Sequence, residues 1–162
     1  MRFTVASTLE FANDYTLNNT SSLTGSGTVR FPGGTVTLDS GATYDVVTTE
    51  IAGGTAIING SQTGALNLSN GTLSGTGTLT VTGNATKTGL GTATINKAFS
   101  IAGMLEVQQG MLQLNTGGSV AGNLNVLSGA TLDVAAGTLM ATGGGSSAGT
   151  LQVDSGATLE FA

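Results

Sequence analysis

Apolar and polar residues alternate with a period of two along most of the chain. Fourteen short units have the form apolar–x–apolar, as in Val29/Phe31, Leu79/Val81 and Leu105/Val107, and the middle residue is polar in all but one of them. Such alternation is typical of a β-strand with one buried face. Gly or another turn residue interrupts nearly every unit, which disfavours helices. The pattern therefore predicts many short strands joined by tight turns.

The spacing of these units predicts a repeat. From Leu105 onwards, successive units begin 7, 12 and 8 residues apart, and the same three steps then recur, so that the pattern returns every 27 residues. Leu105, Leu132 and Leu159 share one phase of this repeat, and Leu9 and Val36 are also 27 residues apart. For a chain of 162 residues the repeat predicts about six coils.

Repeats of this length indicate stacked structural units rather than a conventional globule. We predict an all-β fold, a single-stranded parallel β-helix (β-solenoid) of about six coils of roughly 27 residues, right-handed because parallel crossovers nearly always are. A β-sandwich is the alternative, since it also explains frequent turn signals. We expect residues 1–162 to form one solenoid segment that belongs to, or is excised from, a longer repeat protein. Its bare strand motifs at both ends predict continuation or end-to-end self-association.

Composition excludes several function classes. The chain has no Cys and no His, which excludes Ser-His-Asp and Cys-His nucleophiles and ordinary structural zinc sites. Only four side chains are basic, the net charge is −5, and the basic residues are scattered, so we expect no nucleic-acid partner. No apolar run approaches the length of a membrane span, so we expect no membrane insertion of this segment. We predict no cofactor.

The 27-residue phase predicts one candidate metal site. If Leu105, Leu132 and Leu159 stack, the outward residues Glu106, Asp133 and Glu160 form a column of carboxylates, and Asn125 and Gln152 form a neighbouring column. Like charges about 4.8 Å apart repel by roughly 0.9 kcal/mol per pair in water. A Ca²⁺ ion could bridge them, but we favour a solvated acidic stripe without metal.

The same 27-residue register bears on two other functions, catalysis and ice binding. Carbohydrate-active β-helix enzymes need two placed carboxylates, whereas the 27-residue repeat puts Ile57 beside Arg30 and turns Tyr44 inward, so we predict no enzyme. Ice binding needs a flat Thr array that persists from coil to coil. The candidate Thr pairs and runs are Thr35/Thr37, Thr76/Thr78/Thr80/Thr82, Thr86/Thr88 and Thr92/Thr94.

One segment resembles a known family. Lys87-Thr88-Gly89-Leu90-Gly91-Thr92-Ala93-Thr94-Ile95 is similar to the Lys-Thr-Gly-x-Gly-Thr-Leu-Thr-Leu opening of the autotransporter-associated β-strand repeat, and Gly110–Leu114 is similar to its second strand. The likeness covers about residues 87–115, and the rest resembles filamentous-haemagglutinin-like coils more diffusely. The resemblance implies a secreted or cell-surface bacterial protein, a rigid spacer or adhesin that could bind a host-surface protein or a glycan. An ice- or glycan-binding module is the alternative, and a carbohydrate-active enzyme the third.

Overall fold

The structure, a computed structural model, describes all of residues 1–162 and contains 22 β-strands and no helix. The first four coils contain β1 (Arg2–Thr4), β2 (Thr8–Glu10), β3 (Tyr15–Leu17), β4 (Ser22–Phe31), β5 (Thr35–Leu38), β6 (Thr43–Ile51), β7 (Thr55–Ile58), β8 (Ser61–Leu68) and β9 (Gly71–Ser74). The next two contain β10 (Thr78–Val81), β11 (Ala85–Lys87), β12 (Thr92–Ile95), β13 (Ala98–Ile101), β14 (Leu105–Val107) and β15 (Met111–Leu114). The last strands are β16 (Gly118–Val120), β17 (Leu124–Val126), β18 (Thr131–Val134), β19 (Thr138–Ala141), β20 (Gly145–Ser147), β21 (Thr150–Val153) and β22 (Thr158–Phe161).

Each coil contributes strands to three faces, and every strand pairs in parallel with the strands one coil below and above it. Face 1 comprises β1, the first halves of β4, β6 and β8, then β10, β13, β16, β19 and β22. Face 2 comprises β2, the second halves of β4, β6 and β8, then β11, β14, β17 and β20. Face 3 comprises β3, β5, β7, β9, β12, β15, β18 and β21. The prediction of an all-β parallel solenoid is confirmed, and the sandwich alternative is wrong.

The predicted coil length is wrong. The solenoid has about eight coils of about 20 residues, not six coils of 27. Arg2 pairs with Ser22, Thr78 with Ala98, and Thr138 with Thr158, each pair 20 residues apart along the chain. With strands about 4.8 Å apart, eight coils give a rod roughly 40 Å long.

The 27-residue repeat in the sequence has a simple origin in this architecture. Each 12-residue step conceals a short strand, β16 or β20, that lacks the apolar–x–apolar signature because Gly118, or Gly145 with Ser147, occupies its inward positions. A lag of 27 residues therefore advances four strands instead of three. It moves a residue one coil up and also one face around the solenoid.

The core is one continuous column of 35 buried apolar residues. Inward side chains stack on inward side chains of the next coil, as Leu112 does on Leu132 and Leu132 on Leu151. Large and small residues complement each other where a strand lacks the apolar–x–apolar signature. The Phe99 ring fills the space above Gly118, where an added Cβ would lie 2.5 Å from the ring. The missing side chain of β16 is thus replaced by an aromatic ring from the coil before it.

Candidate functional surfaces

The predicted carboxylate column does not exist. Glu106 lies in β14 on face 2, Asp133 in β18 on face 3, and Glu160 in β22 on face 1. The residue paired with Glu106 in the next coil is Asn125, and the residue paired with Glu160 is Met140. The column fails because the 27-residue lag carries each successive carboxylate to a different face.

The predicted neighbouring column is wrong for the same reason. Asn125 stands on face 2 and accepts hydrogen bonds from the backbone N–H and the hydroxyl of Ser146. Gln152 stands on face 3, directly opposite Asp133 in the adjacent strand. The two amides therefore lie on separate sheets.

A column of charges does occur on face 2, where sequence reasoning placed no carboxylate beside Arg30. Glu10 and Glu50 flank Arg30 in the strands below and above it. The guanidinium donates from Nη1 to Glu10 Oε1 at 2.7 Å and from Nε to Glu50 Oε1 at 3.1 Å. These hydrogen bonds, that to Glu10 first, raise the pKa of Arg30. The expected Ile57 neighbour lies on face 3, so that expectation is wrong. The 20-residue spacing of Glu10, Arg30 and Glu50 in the sequence was the signal that could have predicted this column.

Both carboxylates of this column are bound by the one cation between them. Glu10 and Glu50 are two strands apart, which corresponds to roughly 9.6 Å between their backbones. In inverting glycosidases, a sugar and a water molecule lie between the two catalytic carboxyl groups. Here, however, an arginine occupies the intervening position. The arrangement supports cross-linking of three coils, and the absence of catalysis remains a prediction.

Threonine residues form a column on face 3. Thr35 pairs with Thr55, Thr55 with Thr72, and Thr72 with Thr94. Four consecutive coils therefore present a threonine hydroxyl directly above one another on this face. The other Thr runs of the sequence lie elsewhere: Thr78 and Thr80 on face 1, and Thr86 on face 2. The array ends at Gln113, the next residue of the column.

A shallow groove of about 420 Å³ lies at the corner between faces 1 and 2. Asp45 and Gln62, paired across β6 and β8, line it together with Thr24. Val47 adds an exposed apolar side chain at its edge. The groove therefore presents carboxylate, amide and hydroxyl groups beside one exposed apolar side chain.

Two of the four basic side chains are buried inside the solenoid. Lys87 occupies an inward position of face 2, and its ammonium group donates to the carbonyl oxygens of Gly89 and, at 3.1 Å, Gln109. Lys97 is 2% exposed and donates to the carbonyl oxygen of Ile58. Burial lowers the pKa of both, that of Lys97 to about 8. The sequence pattern showed both only as members of a scattered basic set and did not predict their burial.

A buried chain of hydroxyl groups crosses the core of the third and fourth coils. The hydroxyl oxygen of Tyr44 lies 2.6 Å from Thr49 Oγ1, and the Thr49 hydroxyl donates to Thr63 Oγ1 at 2.9 Å. Thr63 in turn donates to the carbonyl oxygen of Val46 at 3.2 Å. Tyr44 points inward, as predicted, and burial raises its pKa. Because every member of the chain has a partner, this polar island is compatible with the apolar core around it.

The two ends of the rod differ. At the N-terminal end, the ring of Phe11 packs edge-on against Phe3, at 6.3 Å between centroids, and stacks on Phe31 at 5.9 Å. At the C-terminal end, Val153 and Phe161 stand in core positions but are 45% and 60% exposed. The last coil thus presents an open apolar end, whereas aromatic rings largely close the first.

Comparisons of the chain with protein-family models, with curated proteins and with solved structures give no match. The resemblance of residues 87–115 to the autotransporter-associated repeat therefore stays a prediction. All regular secondary structure in the chain is β-strand. The structure has no helix that is long and apolar enough to cross a membrane.

Proposed function

We propose that this chain is a structural segment of a secreted or cell-surface bacterial protein, a stiff spacer whose outer faces can adhere to a partner. The observation that carries the proposal is the unbroken pairing of strands from the first coil to the last on all three faces. Such a rod cannot shorten or bend without breaking backbone hydrogen bonds and opening the core. A continuous parallel stack is the architecture expected of a spacer.

Side chains at the corners add connections between coils. Asn59 accepts from the backbone N–H of Thr76 in the next coil at 2.9 Å and donates to the carbonyl oxygen of Leu38 in the coil before at 2.9 Å. Asn84 accepts from the N–H of Met104 at 2.9 Å in the same manner. These links hold successive corners together and support stiffness along the rod.

The distribution of cations supports a protein or glycan partner over a nucleic acid. Lys87 and Lys97 are buried, and Arg30 is bound by two carboxylates. Only Arg2 remains as a basic side chain outside these contacts. Phosphate backbones are bound by clusters of Lys and Arg, and a single arginine does not make such a cluster.

Small-angle scattering and surface display test the proposal together. In solution we expect an elongated particle about 40 Å or more in length that resists proteolysis at its strands. Displayed on a bacterium that does not otherwise adhere, the chain should hold a fused epitope away from the cell or increase attachment to host cells. A compact, readily digested chain, or a displayed chain with neither effect, would overturn the proposal.

We further propose that copies of the 162-residue segment, when it is produced on its own, associate head to tail. The C-terminal end offers unpaired edges of β20, β21 and β22 with the exposed apolar side chain Phe161, and the N-terminal end offers the unpaired edges of β1, β2 and β3. The edge strands also carry opposite charges, Arg2 on β1 and Glu160 on β22. An interface between unlike ends does not close on itself and gives rods of increasing length.

Sedimentation velocity at increasing protein concentration tests this association. We expect a series of elongated oligomers for the native chain, and a monomer for Phe161→Asp. Leu90→Asp is the matched control, because Leu90 is 84% exposed and stands at the corner between β11 and β12, several strands away from either end of the rod. A native chain that stays monomeric, or that stops at a dimer, would exclude head-to-tail growth.

A ligand-binding module is the second candidate. The groove beside Asp45 and Gln62 favours a glycan, and the Thr35–Thr55–Thr72–Thr94 column favours ice. A glycan array screened with the native chain and with Asp45→Ala tests the first function. Thermal hysteresis measured on the native chain and on Thr55→Lys tests the second. A signal that the substitution abolishes would establish the module, and no signal in either assay would dismiss it.

A further inference from the structure

A carboxylate on face 3 is buried and only half satisfied. Asp133 is 2% exposed although it stands at an outward position of β18. Its Oδ2 accepts a hydrogen bond from Gln113 Nε2 at 3.0 Å, whereas its Oδ1 is inaccessible and has no hydrogen-bond partner. A buried carboxylate oxygen without a donor is energetically costly unless a cation or another polar group satisfies it.

The residues of the next strand supply further oxygen atoms next to Asp133. Gln152 pairs directly with Asp133, and Asp154 is the diagonal neighbour two residues on. Gln152 donates from Nε2 to Asp154 Oδ1 at 3.0 Å, so both amide nitrogens of the cluster are already directed at carboxylates. On Asp133, Gln152 and Asp154, the side-chain oxygens without a hydrogen-bond donor in the protein are Asp133 Oδ1, which is buried, and Gln152 Oε1 and Asp154 Oδ2, which belong to exposed residues.

No positive side chain lies in this part of the molecule. Residues 98–162 contain four carboxylates and neither Lys nor Arg, so their formal charge is −4. In contrast, residues 1–97 contain all four basic residues of the chain. The carboxylates of the last three coils therefore have no internal counter-ion.

We propose that Asp133, Gln152 and Asp154 form a binding site for a divalent cation, with Ca²⁺ preferred over Mg²⁺. Carboxylate and amide oxygens are the ligands of both ions, but Ca²⁺ accepts irregular coordination by several oxygens whereas Mg²⁺ requires near-ideal octahedral geometry. A site assembled from two adjacent strands of a flat sheet offers oxygens from one side only, and water completes the shell. The ion neutralises the buried carboxylate and fixes β21 of the last complete coil to β18.

Isothermal titration with CaCl₂, and thermal unfolding with and without it, test the site on the full chain. We expect saturable binding of one ion with a Kd of about 10⁻⁴–10⁻³ M, the range of weak extracellular calcium sites, and a rise in Tm at saturating Ca²⁺. MgCl₂ should bind at least several-fold more weakly. NaCl at matched ionic strength should reproduce neither the binding nor the rise in Tm.

Substitutions locate the ion. Asp133→Asn and, at the exposed position, Asp154→Asn should each weaken Ca²⁺ binding by tenfold or more, whereas Asp45→Asn, on face 1, should leave it unchanged. Asp154→Asn decides the matter should Asp133→Asn fail to fold. An absence of saturable binding to the native chain, or equal binding to the native chain and Asp154→Asn, would overturn the proposal.

Discussion

Replacing Lys97 by methionine removes a buried charge while keeping an unbranched side chain in the same space. Lys97 lies at the corner between β12 and β13, and its side chain extends to the carbonyl oxygen of Ile58, which is two coils away. Burial lowers its pKa from 10.5 to about 8. The folded protein therefore binds this proton less tightly than the unfolded chain does.

The lowered pKa sets the sign and the size of the pH effect. Below pH 8 both states hold the proton, and the folded state bears the full cost of the buried charge. Between pH 8 and pH 10.5 the unfolded state holds more protons than the folded state, so stability rises with pH. One pKa unit corresponds to 1.36 kcal/mol, which sets an upper limit of about 3 kcal/mol. Screening by solvent at the corner reduces this to on the order of 1–2 kcal/mol.

Urea unfolding of the native chain and Lys97→Met at pH 7 and pH 10.5 measures this cost. The native chain should gain about 1–2 kcal/mol in free energy of unfolding between pH 7 and pH 10.5 that Lys97→Met does not gain. Changes in side-chain packing at this position do not depend on pH and cancel in this difference. The buried hydroxyl of Tyr44, whose pKa is raised, lowers stability as pH rises in both proteins and cancels too. Arg2→Met, at an exposed cation, is the control. Parallel pH profiles for the native chain and Lys97→Met would refute the reasoning.

Two further substitutions test the packing and the corner links. Gly118→Ala places a Cβ 2.5 Å from the Phe99 ring and should cost about 1–3 kcal/mol in urea unfolding; Phe99→Leu in the same chain should recover part of that loss, and additive effects would show that the two sites do not touch. Asn59→Ala removes three side-chain hydrogen bonds that join three coils and should cost about 1–2 kcal/mol. Asn13→Ala, at an exposed residue without such bonds, should change stability little. Equal effects of the two Asn substitutions would contradict the proposed role of the corner links.

The strands and their buried faces could be predicted from the sequence because alternation is a local property. Residues such as Val29, Phe31 and Leu79 are fully buried, as the alternation predicts. Even Lys87 fits the pattern, since it follows Ala85 at the next inward position and is buried. Its burial was not predicted, because the strand units were defined by apolar residues alone.

The coil length could not be predicted from the apolar units alone, because several strands lack them, among them the two that the 12-residue steps conceal. Gly118 and Gly145 fill inward positions with no side chain, so β16 and β20 read as connections. Other signals carried the correct period. Ser-Ile-Ala-Gly at 100–103 recurs as Ser-Val-Ala-Gly at 119–122, 19 residues later. The Glu10–Arg30–Glu50 series also has the spacing of one coil.

An error in coil length affects the core and the surface differently. A shift of 27 residues advances four whole strands, so an inward residue is compared with another inward residue and the buried set is unchanged. An outward residue, by contrast, is assigned neighbours from a different face. Asp133 illustrates the consequence, since the wrong period placed it between Glu106 and Glu160, whereas the register places it between Gln113 and Gln152. In a solenoid the chemistry of a surface site is set by residues one coil apart, and the register must be known before any such site can be inferred.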